Sequence, residues 1–396
     1  MKFKYVCSTC GKEYQRSDVI YLCPSCSATN TPDAPPKGIL KVVYNYEKLP
    51  KDFKKIQKKG FIDLLPINNL LSLPNLNVGN TPMYEYEFVR ETTSFSLFIK
   101  DDSQNPTYSF KDRASALVCA FAKEKDIDTI VAASTGNAGS SLAGICASQQ
   151  QKAIIYVPKT APIAKLTQIR MYGAELVTVD GNYDKAYDLS IEATLKNGWY
   201  NRNTAFNPLT IEGKKTVSYE IFEQLNERIP DRIFVPVGDG VIISGVYKGF
   251  EDLLNIGIID KMPTIVAVQA EGSNNLINNL DKKDFSVIPS KTIADSISVD
   301  IPRNFYMAAD FIKKYKGEIL EVTDRQILRG MKIISQTTGL FAEPASAAAF
   351  AGFLEYLHQD LLPNDSINVV LHTGSGLKDL AAANTLLDNP KDYMDI

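Results

Sequence analysis

The sequence predicts an α/β protein in which two open sheets flank a cleft, with a small cysteine-rich segment in front of them. Short apolar strands alternate with helical stretches in two series, one over residues 129–196 and one over residues 232–371. Such alternation is typical of parallel sheets that are covered by helices. The chain has 396 residues and 44% hydrophobic content, which is long for one core and sufficient for two or three units.

The first 26 residues hold four of the six cysteines in two Cys-x2-Cys pairs, Cys7 with Cys10 and Cys23 with Cys26. Thiolates at this spacing can converge on one tetrahedral zinc ion, and a segment this small needs such a cross-link to fold. We therefore expect residues 1–30 to be a zinc ribbon whose ion is structural, because four thiolates close the coordination sphere. The alternative is a pair of disulfides, which a reducing cytosol disfavours.

A proline-rich linker over residues 31–38 joins the ribbon to the first series of strands and helices. Cys119 and Cys146 fall within apolar helical patterns, so we expect both thiols to be buried without a chemical role. The predicted strands of this series are 129–133, 153–157 and 176–179, and the predicted helices are 138–149, 163–171 and 183–196.

The second series completes the predicted α/β body, with strands at 232–236, 264–269, 317–322 and 367–371. Ligands of open α/β sheets bind beyond the carboxyl ends of the strands, and the glycine-rich turns of this chain follow strands. We therefore expect those turns to gather at the cleft. The expected division is a large domain of residues 39–110 together with 208–396, and a small domain of residues 111–207.

The most informative stretch is residues 105–113, Asn-Pro-Thr-Tyr-Ser-Phe-Lys-Asp-Arg. It places Lys111 after a turn-forming run and directly before an apolar, alanine-rich helix. A cation is unfavourable at a helix N-terminus, and an amine that loses solvent there can lose its proton. A neutral amine is what a Schiff base to an aldehyde cofactor requires, whereas the structural alternative is a surface lysine at a helix start. Asp112 and Arg113 are expected to support the local fold.

Two strand-to-helix turns supply candidate anion sites, because free backbone N–H groups at a helix start favour negative charge. The first turn would bind the α-carboxylate of an amino acid, and its alternative is a simple glycine turn with Asn137 as a helix cap. Its candidate substrate-binding residues are Ser134, Thr135, Gly136 and Ala138. The second turn fits a phosphate cradle. Its candidate residues are Gly238, Asp239, Gly240, Val241 and Ile242.

These pieces, in this order, resemble the fold-type II family of pyridoxal-phosphate (PLP) enzymes and, within it, the threonine synthases. The motifs are Ser-Phe-Lys-Asp-Arg around Lys111 and Ser-Thr-Gly-Asn-Ala ending at Ala138, and the likeness spans residues 75–385. The resemblance implies a tryptophan synthase β-like fold in which Lys111 carries PLP and Asn137 bonds the 3′-oxygen of PLP. It also implies that the hydroxyl of Thr373 meets the pyridine nitrogen, which suits elimination and replacement chemistry.

The chain departs from the threonine synthase pattern at three positions near the expected cleft. Asp239 stands where Asn is common, Ser375 where His is usual, and Thr210 where a basic residue often helps to hold the substrate phosphate. We expect the backbone amides of the second turn to bind phosphate while Asp239 points outward. The candidates for the substrate phosphate are the cations Lys165, Lys214 and Lys215 and the hydroxyls of Ser109 and Thr210.

One further segment begins at Glu343, followed by Pro-Ala-Ser. It resembles the family's helix start beside the cofactor. The alternative is a helix cap with proline at the first helical position.

The composition argues against a nucleic-acid-binding protein, a membrane protein and a histidine-rich metal centre. The net charge of −3 gives no basic footprint for nucleic acid, and the apolar residues are too interspersed for a membrane span. The first residues lack a signal-peptide core, which points to the cytoplasm. With only His358 and His372 present, a histidine-rich metal centre is excluded.

We expect a PLP-dependent lyase that converts O-phosphohomoserine and water into threonine and phosphate, acting as a homodimer with Lys111 as the catalytic residue. One alternative is a sister enzyme, either a threonine or serine dehydratase or a cysteate synthase-like enzyme that acts on O-phosphoserine. An alternative of another class is a non-catalytic binding module that kept the fold, and the intact Lys111 argues against it.

Overall fold

The structure is a computed structural model that describes residues 2–16, 18, 20–89, 94–161 and 163–388; the side chains of 87–89, 164 and 165 lie outside that description. The strands are β1 (Phe3–Cys7), β2 (Glu13–Gln15), β3 (Leu40–Tyr44), β4 (Met83–Val89), β5 (Ser94–Asp101), β6 (Thr129–Ala133), β7 (Lys152–Pro158), β8 (Glu175–Val179), β9 (Tyr200–Asn201), β10 (Arg232–Pro236), β11 (Thr264–Ala270), β12 (Glu318–Val322) and β13 (Ile367–His372).

The helices alternate with these strands through most of the chain. They are α1 (Pro24–Ser27), α2 (Phe53–Lys58), α3 (Lys111–Lys123), α4 (Asn137–Gln149), α5 (Ile163–Met171), α6 (Tyr183–Asn197), α7 (Leu209–Lys214), α8 (Thr216–Gln224), α9 (Val241–Ile256), α10 (Asn275–Asn279), α11 (Phe305–Lys314), α12 (Asp324–Thr338), α13 (Pro344–His358) and α14 (Leu380–Asp388). Among the described residues, none of these helices combines the length and the apolar character needed to cross a bilayer.

Two open sheets form the body of the molecule, as the alternating pattern predicts. The larger sheet has the order β12-β11-β10-β13-β5-β4 and is parallel except for the edge strand β4, which runs antiparallel to β5. The smaller sheet has the order β8-β7-β6-β9 and is parallel throughout. Helix α7 packs against both α3 and α9, so it joins the parts of the fold that carry the two sheets.

The N-terminal segment forms a third, antiparallel sheet of order β2-β1-β3. Strand β3 lies beyond the linker, in residues that the sequence assigns to the large domain, yet it pairs with β1 from Phe3 opposite Tyr44 to Cys7 opposite Leu40. The ribbon is therefore anchored to the body by a shared strand. The domain division itself stays a prediction.

A buried ion cluster, formed by Glu212, Lys215, Lys248 and Asp252, lies beneath β3. Lys215 Nζ is 2.5 Å from the Glu212 carboxylate and 2.8 Å from that of Asp252, and Lys248 also pairs with Asp252. The hydroxyl of Tyr44 donates to Glu212 at 2.6 Å, and its ring centroid lies 4.1 Å from Lys215 Nζ. All four charged side chains are at most 1% exposed, and their two positive charges match their two negative charges.

Candidate active site

A cavity of about 670 Å³ opens beyond the carboxyl ends of β6 and β10, where the two strand-to-helix turns face each other. Most of the candidate residues from the sequence line it. They are Lys111, Ser134, Thr135, Gly136, Asn137, Ala138, Gly238, Asp239, Gly240, Val241 and Ile242. Ser109 and Thr373 are buried and are not among the lining residues, but each bonds the backbone of the segment that carries Lys111.

Backbone pairing holds Lys111 next to the turn after β13. The N–H of Phe110 donates to the carbonyl of Thr373 at 2.8 Å, and Ser109 forms an antiparallel bridge with Gly374. The hydroxyl of Ser109 accepts from the Lys111 N–H at 3.4 Å. Two segments more than 250 residues apart in the sequence are thereby fixed together at the start of α3.

The amine of Lys111 is half-buried at the cavity wall. Burial lowers the pKa of this amine below the ordinary lysine value, although the carboxylates of Glu343 and Asp239 act in the opposite direction. The positive charge of Arg202 adds to the lowering. A larger neutral fraction makes the amine a better nucleophile and proton acceptor.

The residues that follow Lys111 hold the start of α3 in place. Asp112 accepts a hydrogen bond from the Thr107 N–H at 2.7 Å and one from its hydroxyl at 2.5 Å. Arg113 is buried and pairs with Asp102 and Glu220, each at 2.5 Å. These contacts fix the turn before the helix, so the position of Lys111 is determined on both sides.

Asn137 is the first residue of α4, and its side chain does not cap that helix. Gly136 holds the N-cap position without a side-chain bond, while the Asn137 amide donates to both carboxylate oxygens of Glu343 at 3.0 and 2.9 Å. Glu343 likewise sits at the N-cap of α13 without capping it. Burial raises the pKa of Glu343, and the Asn137 bond partly offsets this effect. The geometry therefore favours the interpretation that Glu343 lies beside the site, rather than the alternative that it caps α13.

The turn between β10 and α9 is built tightly around two glycines. A Cβ on Gly238 would lie 2.8 Å from the Cα of Ile297, so no side chain fits there. Gly240 has a φ of +80°, in the left-handed region, and is the N-cap of α9. Because α9 begins at the cavity wall, its free N–H groups favour an anion there.

Asp239, between these glycines, is half-buried and lines the cavity. Its carboxylate accepts from the backbone N–H of Arg303 at 3.0 Å, and its carbonyl accepts from the N–H of Asn304 at 2.9 Å. The carboxylate is thus turned toward residues 303–304, where it is held by a donor. The side chain of Arg303 pairs with Asp184 at 2.5 Å nearer the rim.

Thr373 is held between α13 and the turn before α3. Its N–H donates to the hydroxyl of Ser346 at 2.9 Å, and the residue is 5% exposed. The preceding residue, His372, places Nδ1 2.6 Å from the carboxylate of Asp101. These hydrogen bonds fix the backbone at the end of β13, which lies beside Lys111.

Arg202 is a site residue that the sequence reasoning missed. It is fully buried, lines the cavity and donates from Nε to the hydroxyl of Ser115 at 3.1 Å. Burial lowers the pKa of its guanidinium to about 10. Arg202 directly follows β9, a strand of two residues that leaves no periodic signal. The rule that ligands bind at the carboxyl ends of strands would have found it had that strand been recognised.

The four N-terminal cysteines converge. The sulfur atoms of Cys7, Cys10, Cys23 and Cys26 all lie within 4.8 Å of one another, and none of the four forms a disulfide. Such an arrangement has the donor set and the compactness of a four-thiolate metal site.

The residues at the cavity fit PLP, because an amine with a lowered pKa and the N-terminus of α9, which favours a phosphate, line the same cavity. Residues 75–374 match the family model described as pyridoxal-phosphate dependent enzyme. The chain belongs to this family. The expected fold-type II architecture is confirmed, and the protein is a PLP-dependent enzyme.

Within that family the chain groups with the threonine synthases. It is 33% identical to the threonine synthase of Methanocaldococcus jannaschii, over 97% of this chain and 95% of that protein. It is 32% identical to the threonine synthase of Methanosarcina acetivorans, over 94% of this chain and 91% of that protein. The resemblance that the motifs around Lys111 and Ala138 indicate is therefore confirmed.

A solved structure supports the fold assignment. The processed form of threonine deaminase isoform 2 from Solanum lycopersicum superposes with a TM-score of 0.65 at 22% identity, covering 74% of this chain and 83% of that chain. At this identity the likeness concerns the fold alone.

Proposed function

We propose that the protein is a threonine synthase that converts O-phosphohomoserine and water into threonine and phosphate. The observation that carries the proposal is the position of Lys111, whose amine has a lowered pKa and lies at a cavity wall between the N-termini of α4 and α9. The identity of 33% to a threonine synthase over nearly the whole length supports this substrate over those of the sister enzymes.

Four parts of the site would hold PLP. Lys111 would link it covalently, Asn137 would bond its 3′-oxygen, the backbone of 238–242 would bind its phosphate, and Thr373 would meet its ring nitrogen. When bound, PLP supplies an electron sink for negative charge on the substrate carbons. The glycine turn leads into α9, whose free N–H groups at its start favour the phosphate.

The substrate would be oriented by the start of α4, a helix of 13 residues. Its α-carboxylate would accept from backbone N–H groups of residues 134–138, which the positive end of the helix favours. The substrate amine would displace Lys111 from its covalent link, and the freed amine of Lys111 would then take the proton from Cα and move protons at Cβ, as general base and general acid. Phosphate leaves from Cγ, and water adds at Cβ.

The reaction is tested by product analysis of the purified protein with O-phosphohomoserine. Inorganic phosphate and threonine should appear in equal amounts. If O-phosphohomoserine gives neither while threonine, serine or O-phosphoserine turns over, the departures at Thr210, Asp239 and Ser375 mark a sister enzyme instead. A chain that binds no PLP and turns over none of these compounds would be the non-catalytic module.

The proposal extends to the parts of the molecule outside the cavity. We propose that Cys7, Cys10, Cys23 and Cys26 bind one structural zinc ion, supported by the convergence of their sulfurs. Metal analysis of protein purified without chelator should then find about one zinc per chain. A reducing cytoplasm, where we place the enzyme, would keep these thiolates available.

We also propose the domain division and a homodimer. The large domain would comprise 39–110 and 208–396 and the small domain 111–207, with the larger and the smaller body sheet as their respective frames. Light scattering at micromolar concentration tests the dimer, and a mass of one chain would contradict it.

A further inference from the structure

Lys214 is a buried lysine at the cavity whose amine has no hydrogen-bond partner in the part of the chain that the structure describes. The residue is fully buried, it lines the cavity, and its Nζ makes no hydrogen bond among the described residues. An ammonium group that is withdrawn from water and left unpaired costs folding free energy. Because the protein has a buried lysine at a cavity despite this loss of folding free energy, we infer that a ligand supplies the missing partner.

Lys214 lines the cavity, whereas Thr210 is not among the lining residues. The two residues are four positions apart on α7, so they lie on the same face of the helix. Thr210 is buried, and its hydroxyl donates to the carbonyl of Asn207 at 2.7 Å. A Cβ on Gly245 would lie 2.7 Å from the Cβ of Lys214, so this glycine lets α9 approach α7 closely. Lys214 therefore brings a basic side chain to the cavity one helical turn after Thr210.

Lys214 and Arg202 are the two fully buried basic side chains of the described cavity lining, and we call their part of it the floor. Arg202 is also fully buried there and forms no ion pair with a carboxylate among the described residues; its nitrogens donate to the hydroxyls of Ser115 and Thr204. Burial lowers the pKa of Lys214, and repulsion from Lys111 and Arg202 lowers it further.

The acidic residues that line the same cavity lie elsewhere. Four of them are exposed at the rim. They are Asp33, Asp184, Asp295 and Asp300. Asp239, which is half-buried, is held by the N–H of Arg303. In the described part of the chain no carboxylate forms an ion pair with Lys214 or Arg202, although the charges of Asp239 and of the buried Asp112 partly offset theirs.

The other candidate lysines do not meet these conditions. Lys215 is engaged in the buried ion cluster, with Glu212 and Asp252 as partners. The side chain of Lys165 lies outside the described residues. Among the lysines described, Lys214 alone combines full burial, a place at the cavity and a nitrogen without a partner.

We propose that Lys214, with Arg202 beside it, binds a phosphate dianion at the floor of the cavity. A phosphate has the charge and the acceptor oxygens that two such donors require. Two sources share this chemistry, the phosphate of the cofactor and the phosphate of the substrate, and the second of these rests on the proposed function. The N-terminus of α9 contributes further N–H donors to either one.

The test uses full-length holoenzyme with three variants. Lys214→Met keeps the length of the side chain without its charge, Lys214→Arg keeps the charge, and Lys283→Met removes an exposed lysine remote from the cavity lining as a control. Three quantities are measured: cofactor retention in equilibrium dialysis, the affinity for inorganic phosphate by calorimetry, and the KM for O-phosphohomoserine. The melting temperature of each variant is recorded alongside.

Lys214→Met should weaken cofactor retention, weaken the binding of inorganic phosphate or raise the KM for O-phosphohomoserine. At least one of these changes should be about 10- to 100-fold, the range for one charge-assisted hydrogen bond. Lys214→Arg should restore most of the loss, and Lys283→Met should change nothing. Weaker cofactor retention assigns the site to the cofactor phosphate, whereas weaker calorimetric binding and a raised KM assign it to the substrate phosphate. A structural role would instead lower the melting temperature of Lys214→Met.

The proposal is overturned if Lys214→Met leaves all three quantities within about twofold of wild type, a difference below 0.5 kcal/mol. Failure of the proposed function is a separate result. If wild-type enzyme does not consume O-phosphohomoserine, the dialysis and calorimetry measurements still decide whether Lys214 holds a phosphate.

Discussion

Lys214 and Lys215 are consecutive in the sequence, and both are fully buried, yet they face opposite environments. Lys215 belongs to the buried ion cluster, where two lysines meet two carboxylates and tyrosine hydroxyls complete the hydrogen bonding. Lys214 faces the cavity, and its Nζ has no hydrogen-bond partner among the residues that the structure describes. The same residue type at the same burial is thus neutralised by the protein in one place and left for a ligand in the other.

This difference shows what each region is built to do. A matched set of buried charges contributes little net stability but makes the loss of any one member costly. An unmatched buried charge lowers stability unless a ligand is present, which is the pattern of a binding site. Substitutions in the ion cluster should therefore affect folding, and substitutions at the cavity should affect ligands and chemistry.

The largest effect on the cavity side should come from Lys111→Ala. Without the amine, general acid–base catalysis and covalent attachment are both lost, and kcat should fall by about a thousandfold or more. Borohydride reduction followed by peptide mass analysis should find PLP on Lys111 of the wild type and on no lysine of the variant. A variant that still carried a reducible link to PLP would show that another residue holds the cofactor.

On the other side of the comparison, Asp252→Asn should destabilise the fold. Asp252 is paired with both Lys215 and Lys248, so its loss leaves two buried ammonium groups facing the single carboxylate of Glu212. Urea unfolding should show a loss of about 3–5 kcal/mol, as for other broken buried pairs. The matched control is Asp260→Asn at an exposed position, which should be neutral. Unchanged unfolding of Asp252→Asn would mean that the cluster has no role in stability.

A smaller effect of opposite sign is expected for Lys214→Met in protein freed of cofactor. Because burial and repulsion lower the pKa of Lys214, the unfolded chain binds this proton more tightly than the folded chain. The resulting penalty on folding is fully present below the folded-state pKa of Lys214, and it disappears as pH rises to the ordinary lysine pKa. Replacement by methionine should therefore raise the free energy of unfolding near pH 7, and raise it by less near pH 9.5.

Urea midpoints at the two pH values measure this difference, with Lys283→Met as the control. A gain in stability that grew with pH would contradict the assigned charge on Lys214.

Much of the site was predictable because its signals are local. Lys111, Ser134–Ala138 and Gly238–Ile242 each lie at a strand-to-helix or turn-to-helix junction, and the carboxyl ends of parallel strands bring such junctions together. The helices predicted at 163–171 and 183–196 are found as α5 and α6 to within one residue. Local propensity and the geometry of parallel sheets are sufficient to fix these features.

The rest depends on contacts that the sequence does not mark. Arg202 follows a strand of two residues, and the pairing of β3 with β1 spans the linker. Helical periodicity also cannot tell which of two adjacent lysines faces a cavity, because that depends on how α7 is rotated against α3 and α9. The assignment of Lys214 over Lys215 therefore required the packed structure.

Strand β3 anchors the N-terminal ribbon to the rest of the enzyme. Its residues pair with β1 on one side, while Tyr44 covers the charges of the buried ion cluster on the other. If zinc is lost from the proposed four-thiolate site, β1 loses its support and water gains access to Lys215 and Glu212. The quantity of working enzyme in a cell would then follow the supply of zinc, and chains made during zinc starvation would be marked for proteolysis from their N-terminal end.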